Sequence, residues 1–308
     1  MSQRELPSGA ALSVTDVAAA RRGAAWRTVL GVFKIRIGVL IMITALGGLA
    51  IVPGGQLSLA QVLVLALTVL VAAASAGAFN QFVEADSDRL MARTRARAFA
   101  SGALPRSAGW LLAIVGLVVL AVATAAWVVN GMAALFIALG AVTYGGVYTL
   151  VLKRRTAWNI VIGGLSGSFA VLAGAAAADP QIPVQAWVLA LVLFLWTPPH
   201  FWSLAIAAEA DYRAAGVPML PVVVGAERAA RIVHGSALVL VAASLLLPLA
   251  GSGWLVGAGA LLGGAHFLRR TQALARAPAR KTAMAAFFAS MVQLSVLLLA
   301  VVLDAAMR

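Results

Sequence analysis

Residues 80–102 read NQFVEADSDRLMARTRARAFASG, in which Asn80, Glu84, Asp86 and Asp88 are followed by Arg89, Arg93, Arg95 and Arg97. Asn80, Glu84 and Asp88 stand four residues apart. On a helix that spacing drifts by about 40° per step and makes one polar stripe, with Asp86 pointing elsewhere unless the helix unwinds there. Hard oxygen donors in such a stripe suit Mg2+, which takes one or two carboxylates and completes its shell with substrate phosphates. The chain of 308 residues has ten acidic side chains, and three of them lie in this stretch, directly after an apolar run long enough to cross a bilayer. Carboxylates gathered there, with arginines beside them, predict that an anionic group, a diphosphate, is held through a metal ion. The plainer alternative is a solvated helix end whose carboxylates pair with Arg89 and Arg93.

Two further stretches bear on that chemistry. Residues 193–225 (LFLWTPPHFWSLAIAAEADYRAAGVPMLPVVVG) carry Pro198 and Pro199 inside an apolar run, followed by Glu209, Asp211 and Arg213. Proline there frees backbone carbonyls and opens space near His200, which is either a buried hydrogen-bonded residue or a contact to an acceptor. Glu209 and Asp211 alone read as an ordinary loop pair; opposite the first cluster they become the second half of a metal–diphosphate site. Residues 148–164 (YTLVLKRRTAWNIVIGG) supply Lys153, Arg154 and Arg155. A cation beside a metal-bound diphosphate stabilises the charge on the leaving group as its C–O bond breaks; Arg93, Arg97, Lys34 and Arg36 are further candidates. His234 and His266 sit in no motif.

The elements that must position these groups are membrane helices. Residues are 63% hydrophobic and 11% charged, with a mean hydropathy of +0.99, whereas a soluble domain carries about 25% charged residues. A spanning helix needs ~20 mostly apolar residues, and the runs that qualify predict an all-α, polytopic protein with nine spans. These lie at about 35–53, 57–80, 107–129, 131–152, 158–178, 184–208, 232–250, 252–269 and 283–304, the seventh and eighth short and barely separated. Pro53-Gly54-Gly55, Asn130-Gly131, Asp179-Pro180 and Gly251-Ser252-Gly253 mark breaks. With no cysteine, thiolate chemistry and Cys-based metal sites are excluded. The net charge of +13 would suggest nucleic acid in a soluble chain; here 22 of the 23 Lys and Arg residues fall before the first span or in alternate connections. That segregation predicts a cytoplasmic N-terminus and an outer C-terminus, with both acidic clusters on one face and no nucleic-acid partner. Residues 1–28 lack an unbroken apolar core, which argues against a cleaved secretory signal. They are expected to be a cytoplasmic tail before a single membrane domain, 29–308.

Asn80, Glu84 and Asp88 occupy the NxxxDxxxD motif of the UbiA-type membrane prenyltransferase superfamily, with Glu for the first Asp. Together with LKRRTAWNIVIGG, LFLWTPPHFWSLAI and DYRAAGVPMLPVVVG, the chain over about 33–225 more narrowly resembles the protoheme IX farnesyltransferases (heme O synthases). The resemblance implies a nine-helix bundle around a central cavity in the plasma (inner) membrane of a bacterium, with Mg2+ as cofactor and farnesyl diphosphate and heme b as substrates. It implies transfer of the farnesyl group to a heme vinyl group with addition of water. By resemblance, Asn80, Glu84, Asp86, Asp88 and Asp211 hold metal or diphosphate; Arg93, Arg97, Lys153 and Arg154 contact the diphosphate. Asp88, Lys153 and Arg93 are the catalytic candidates, and Asn80, Arg97, Arg154, Asp211 and His200 the substrate-binding ones. Contact with heme A synthase or the terminal oxidase assembly is also raised. The chain departs from the family pattern at Ile35, at Ala98-Phe99, at 169–172 and at Ala207. Two other readings are prenylation of an aromatic quinone precursor and non-catalytic transport of heme or a small molecule, since charges in broken helices also mark transport paths.

Overall fold

A computed structural model describes residues 26–55 and 57–307; the expected tail at 1–28 falls almost wholly outside them. Among the described residues every regular element is helical. A first helix, α1 (Trp26–Val32), meets α2 (Ile35–Ala50) at a 47° bend. There follow α3 (Leu59–Val83), the short α4 (Ala85–Arg89) and α5 (Ala98–Ser101), α6 (Ala108–Val128), and α7 (Gly131–Ala141), which continues as a π-helix over Val142–Leu152. Next come α8 (Asn159–Gly163), α9 (Leu165–Ala178), α10 (Val184–Ala207), α11 (Glu209–Ala214), α12 (Leu220–Val224), α13 (Ala226–Ser244), α14 (Leu246–Leu249), α15 (Trp254–Arg276) and α16 (Arg280–Met307).

Seven helical stretches among the described residues are long and apolar enough to cross a membrane, or eight if α1 and α2 form one bent span. The expected run 252–269 is helical within α15 but is not among them, so this measure supports seven or eight of the nine expected spans. The reason is chemical: α15 carries His266, Arg269 and Arg270 well before its end. The expected breaks are all present. Asn130 caps α7 by accepting from the Ala133 amide at 2.8 Å, and its own amide donates to the Ala176 carbonyl at 2.8 Å, tying that break to the end of α9. Ser58 and Gln61 form a capping box at the start of α3.

In chain order the long helices touch their neighbours around a closed ring, α16 returning to α2, with α2 on α9 and α10 on α16 crossing the interior. Without a hydrophobic drive between helices in lipid, close backbone approach must supply the contact. The α2–α9 crossing shows this. A Cβ on Gly174 would stand 1.8 Å from the Ala45 carbonyl oxygen, and one on Gly48 would stand 2.1 Å from that of Val171. Gly174→Ala is therefore expected to push α2 off α9 at a cost of about 1–3 kcal/mol, seen as a lowered melting midpoint in detergent. Substituting Gly235, which has open space around it, should leave the midpoint nearly unchanged.

Candidate active site

The polar stripe survives the joint between α3 and α4. The Glu84 amide donates to the Asn80 carbonyl (3.0 Å) and the Asp88 amide to that of Glu84 (2.8 Å), so the i, i+4 register runs through all three side chains. Asn80, Glu84 and Asp88 are buried, and each meets a cation from a different element. Lys34 Nζ donates to Asn80 Oδ1 (2.7 Å), Lys153 Nζ to Glu84 Oε2 (2.5 Å), and Arg97 Nη1 to both oxygens of Asp88 (2.8 and 3.0 Å). Three anchors therefore converge on one helix edge: the α1–α2 bend, the end of the π-helix and the loop before α5.

Local sequence explains each anchor. Lys34 adopts a left-handed conformation (φ 47°, ψ 45°), ending α1 and letting α2 restart; a non-glycine residue held there costs about 1–3 kcal/mol, a strain typical of functional positions. Gln81 fixes the bend to α3 by donating from Nε2 to the carbonyls of Gly31 (3.0 Å) and Val32 (2.9 Å). The lysine stem runs past Gly77, one turn before Asn80, where a Cβ would stand at ordinary contact distance from Lys34 Cδ, 3.4 Å. At the π-helix the Lys153 amide reaches back five residues to the Tyr148 carbonyl (2.9 Å), and Thr149 Oγ1 accepts from Asn80 Nδ2 (3.2 Å) while donating to the Tyr144 carbonyl (2.8 Å). Such π-turns gather at functional sites because they shift the direction in which side chains leave the helix.

The second acidic cluster arrives at the same end. Asp211 accepts from the backbone amides of Ala92 (3.3 Å) and Arg93 (3.4 Å), just after Asp88. Glu209 does not join it: the side chain pairs with Arg213 along α11, lining an open cleft of about 560 Å³ on that helix's outer side. Nor does Asp86. Its side chain is 60% exposed and pairs with Arg106 (2.9 Å) and Arg89 (3.4 Å), so the structure leaves it outside the buried stripe, as the helical register requires. Asp86→Asn is accordingly expected to change turnover less than about threefold and stability by ~0.5 kcal/mol or less, assayed beside the wild type. Arg154 and Arg36 also face outward, away from the three carboxylate and amide groups.

His200 takes the first of its two expected places, that of a buried hydrogen-bonded residue, but the helix around it does not open as expected. Far from opening space, α10 runs unbroken through Pro198 and Pro199, and the imidazole is stacked between Trp196 (ring centroids 4.0 Å) and Phe287 (4.5 Å). Ser290 Oγ donates to the Phe287 carbonyl (2.6 Å) and lies 2.7 Å from His200 Nδ1. With its proton so used, Ser290 accepts from Nδ1–H, which leaves Nε2 as the unprotonated nitrogen.

Tyrosines were the residues that sequence reasoning missed. Tyr144 and Tyr148 stack with centroids 5.5 Å apart, Lys153 Nζ lies 5.8 Å from the Tyr148 ring centre, and Tyr212 follows Asp211 and bonds to Arg93. Burial raises the Tyr212 phenol above its ordinary value, against the pull of the Arg93 charge. The signal was available: the chain has three tyrosines, and all stand beside the acidic and basic stretches.

The stripe offers oxygen donors of the type a hard divalent ion takes, two of them carboxylates one turn apart. No group of three acidic or histidine side chains comes together among the described residues. That donor set fits Mg2+ completed by diphosphate oxygens better than an ion caged by protein alone.

Residues 41–292 match the model of the UbiA prenyltransferase family. The chain is 53% identical over 278 residues to protoheme IX farnesyltransferase 2 of Paramagnetospirillum magneticum, covering 90% of this chain and 96% of that protein. It is 41% identical to protoheme IX farnesyltransferase of Gloeobacter violaceus, covering 95% and 96%. In three dimensions it resembles a solved digeranylgeranylglyceryl phosphate synthase (TM-score 0.75, 17% identity, 92% and 99% of the two chains). It also resembles a UbiA homolog from Archaeoglobus fulgidus bound to DMAPP and Mg2+ (TM-score 0.64, 16% identity, 87% and 99%).

Proposed function

The chain belongs to the UbiA prenyltransferase family, and from that premise we propose that it transfers the farnesyl group of farnesyl diphosphate to a vinyl group of heme b, with addition of water, to give heme O. Relatives named for that activity match nearly the whole chain, and they do not favour a quinone precursor as acceptor. The observation that carries the chemistry is the buried stripe Asn80–Glu84–Asp88 with Lys34, Lys153 and Arg97 laid against it.

Mg2+ would be held by oxygens of Asn80, Glu84, Asp88 and Asp211, and when bound it supplies a Lewis-acid charge to the diphosphate oxygens. The protein's own groups do the rest. Lys34, Lys153, Arg97 and the Arg93 segment put positive charge where the C–O bond breaks and its electron pair leaves with the diphosphate. The vinyl π-electrons then form the new C–C bond, and water adds its oxygen to the cation left beside the porphyrin ring, losing a proton. Burial of the stripe keeps water from the allylic cation until that bond has formed. His200, with Nε2 as a free lone pair, is the proposed contact to heme. The basic end of the bundle is proposed to face the cytoplasm of a bacterium's plasma membrane, from which heme O would pass to heme A synthase or the terminal oxidase assembly.

Incubating purified protein with farnesyl diphosphate and heme b should release diphosphate and yield a product with the mass of heme O, and chelating Mg2+ should stop both. A prenylated hydroxybenzoate instead, or heme movement without diphosphate release, would replace this reading.

A further inference from the structure

Where α13, α15 and α16 meet, seven cations face outward: Arg228 and Arg231 on α13, Arg269, Arg270 and Arg276 on α15, and Arg280 and Lys281 at the start of α16. Glu227 is the one carboxylate on these turns, and among the described residues none of the seven cations is in an ion pair. Four of the other acidic residues at this end of the bundle behave oppositely: Glu84, Asp86, Asp88 and Glu209 each hold a Lys or Arg, while Asp211 accepts from two backbone amides. The charge here is thus uncompensated by the protein itself.

Geometry gathers the cations into one band. His234 Nδ1 lies 3.0 Å from Thr271 Oγ1, which fixes the register of α13 against the antiparallel α15. At 1.5 Å of rise per residue, Arg231 stands about 4.5 Å, Arg276 about 7.5 Å and Arg228 about 9 Å from that contact toward the bundle end, whereas Arg270, seven residues after Gly263, lies on the face of α15 that packs on α16. In the other direction the same two helices expose Leu238, Val239, Leu261 and Leu262. A basic rim above a strip of exposed leucine and valine is matched to a molecule with an anionic head and an apolar tail. Six of the seven cations are arginine, whose planar fork grips phosphate in two-point contacts.

We propose that this band is a binding site for an anionic phospholipid, with its phosphate among Arg228, Arg231 and Arg276 and its acyl chains along the α13–α15 face. An acidic protein would also answer the charge, but the adjoining apolar strip on α13 belongs to a membrane-spanning stretch and so sets the band at the depth of the lipid headgroups. The site is separate from the Asn80–Glu84–Asp88 stripe, so it stands whether or not that stripe transfers a farnesyl group.

The test uses the full chain in detergent with equal amounts of phosphatidylglycerol and phosphatidylcholine, with retained lipids weighed by native mass spectrometry. The wild type is expected to keep phosphatidylglycerol by roughly tenfold over phosphatidylcholine, and high salt should erode that preference. Arg228→Gln/Arg231→Gln/Arg276→Gln should abolish it while leaving basal diphosphate release in phosphatidylcholine unchanged. Arg95→Gln/Arg155→Gln, which removes cations elsewhere at the same end, should keep it. No preference in the wild type would overturn the proposal and leave the band to solvent or to an acidic protein. So would a triple variant that still selects phosphatidylglycerol, or a control that loses the preference equally, which would mean bulk charge rather than a site.

Discussion

Asp88→Asn should reduce diphosphate release by about 10²–10³-fold or more while the protein still inserts into membranes. The substitution keeps the shape of the side chain and removes its charge. In the wild type Asp88 is fully buried, and both its oxygens lie within 3.0 Å of Arg97 Nη1. An amide keeps one acceptor oxygen for Arg97, but its NH2 replaces the second oxygen and the negative charge is gone, so it holds Arg97 weakly and contributes no carboxylate to a divalent ion. Stability should suffer less than activity. Removing one partner of a fully buried pair costs about 3–5 kcal/mol, but the Arg97 side chain is 24% exposed and can turn to water, which brings the cost nearer 1–3 kcal/mol. Diphosphate release measured beside membrane fractionation separates the two effects. Mg2+-dependent turnover retained in the Asn variant would remove Asp88 from the reaction.

What the sequence made legible here is what depends on spacing and on polarity. The i, i+4, i+8 stripe was readable because helical register survived into α4, and the same register put Asp86 outside. The helix start at Asn130 was readable, where a side chain replaces a missing backbone partner. Other features depend on contacts between distant segments, which no local pattern encodes. Nothing in residues 148–164 says that Lys153 meets Glu84 while Arg154, one residue on, faces outward; the π-helix that sets this direction is a backbone hydrogen-bond choice. Lys34 could be listed among cations, but its left-handed turn arises from the α1–α2 bend pinned by Gln81. The proline stretch was misjudged rather than His200: Pro198 and Pro199 read as a break, whereas α10 runs through them and Trp196 and Phe287 pack against the imidazole.

Lys153→Met is the second large effect, and pairing it with Glu84→Gln divides structure from chemistry. The Lys153 and Glu84 side chains are 11% and 4% exposed and bond to one another, so Lys153→Met alone strands a carboxylate that no water can reach. The expected cost is about 3–5 kcal/mol, together with a fall in turnover of about 10²–10³-fold as the cation beside the departing diphosphate is lost. Glu84→Gln alone strands the ammonium and should cost a similar amount. In the double variant neither charge is left unpaired, so stability should recover to within about 1–2 kcal/mol of the wild type, giving a coupling of about 4–9 kcal/mol. Turnover should not recover, because the well-packed double variant still lacks both the cation and the carboxylate. Melting midpoints and diphosphate release on the four proteins of the cycle would show it. If activity returned along with stability, the pair would be a structural bridge between α3 and the π-helix, and the charge on the leaving group would have to be met by Lys34 and Arg97 alone.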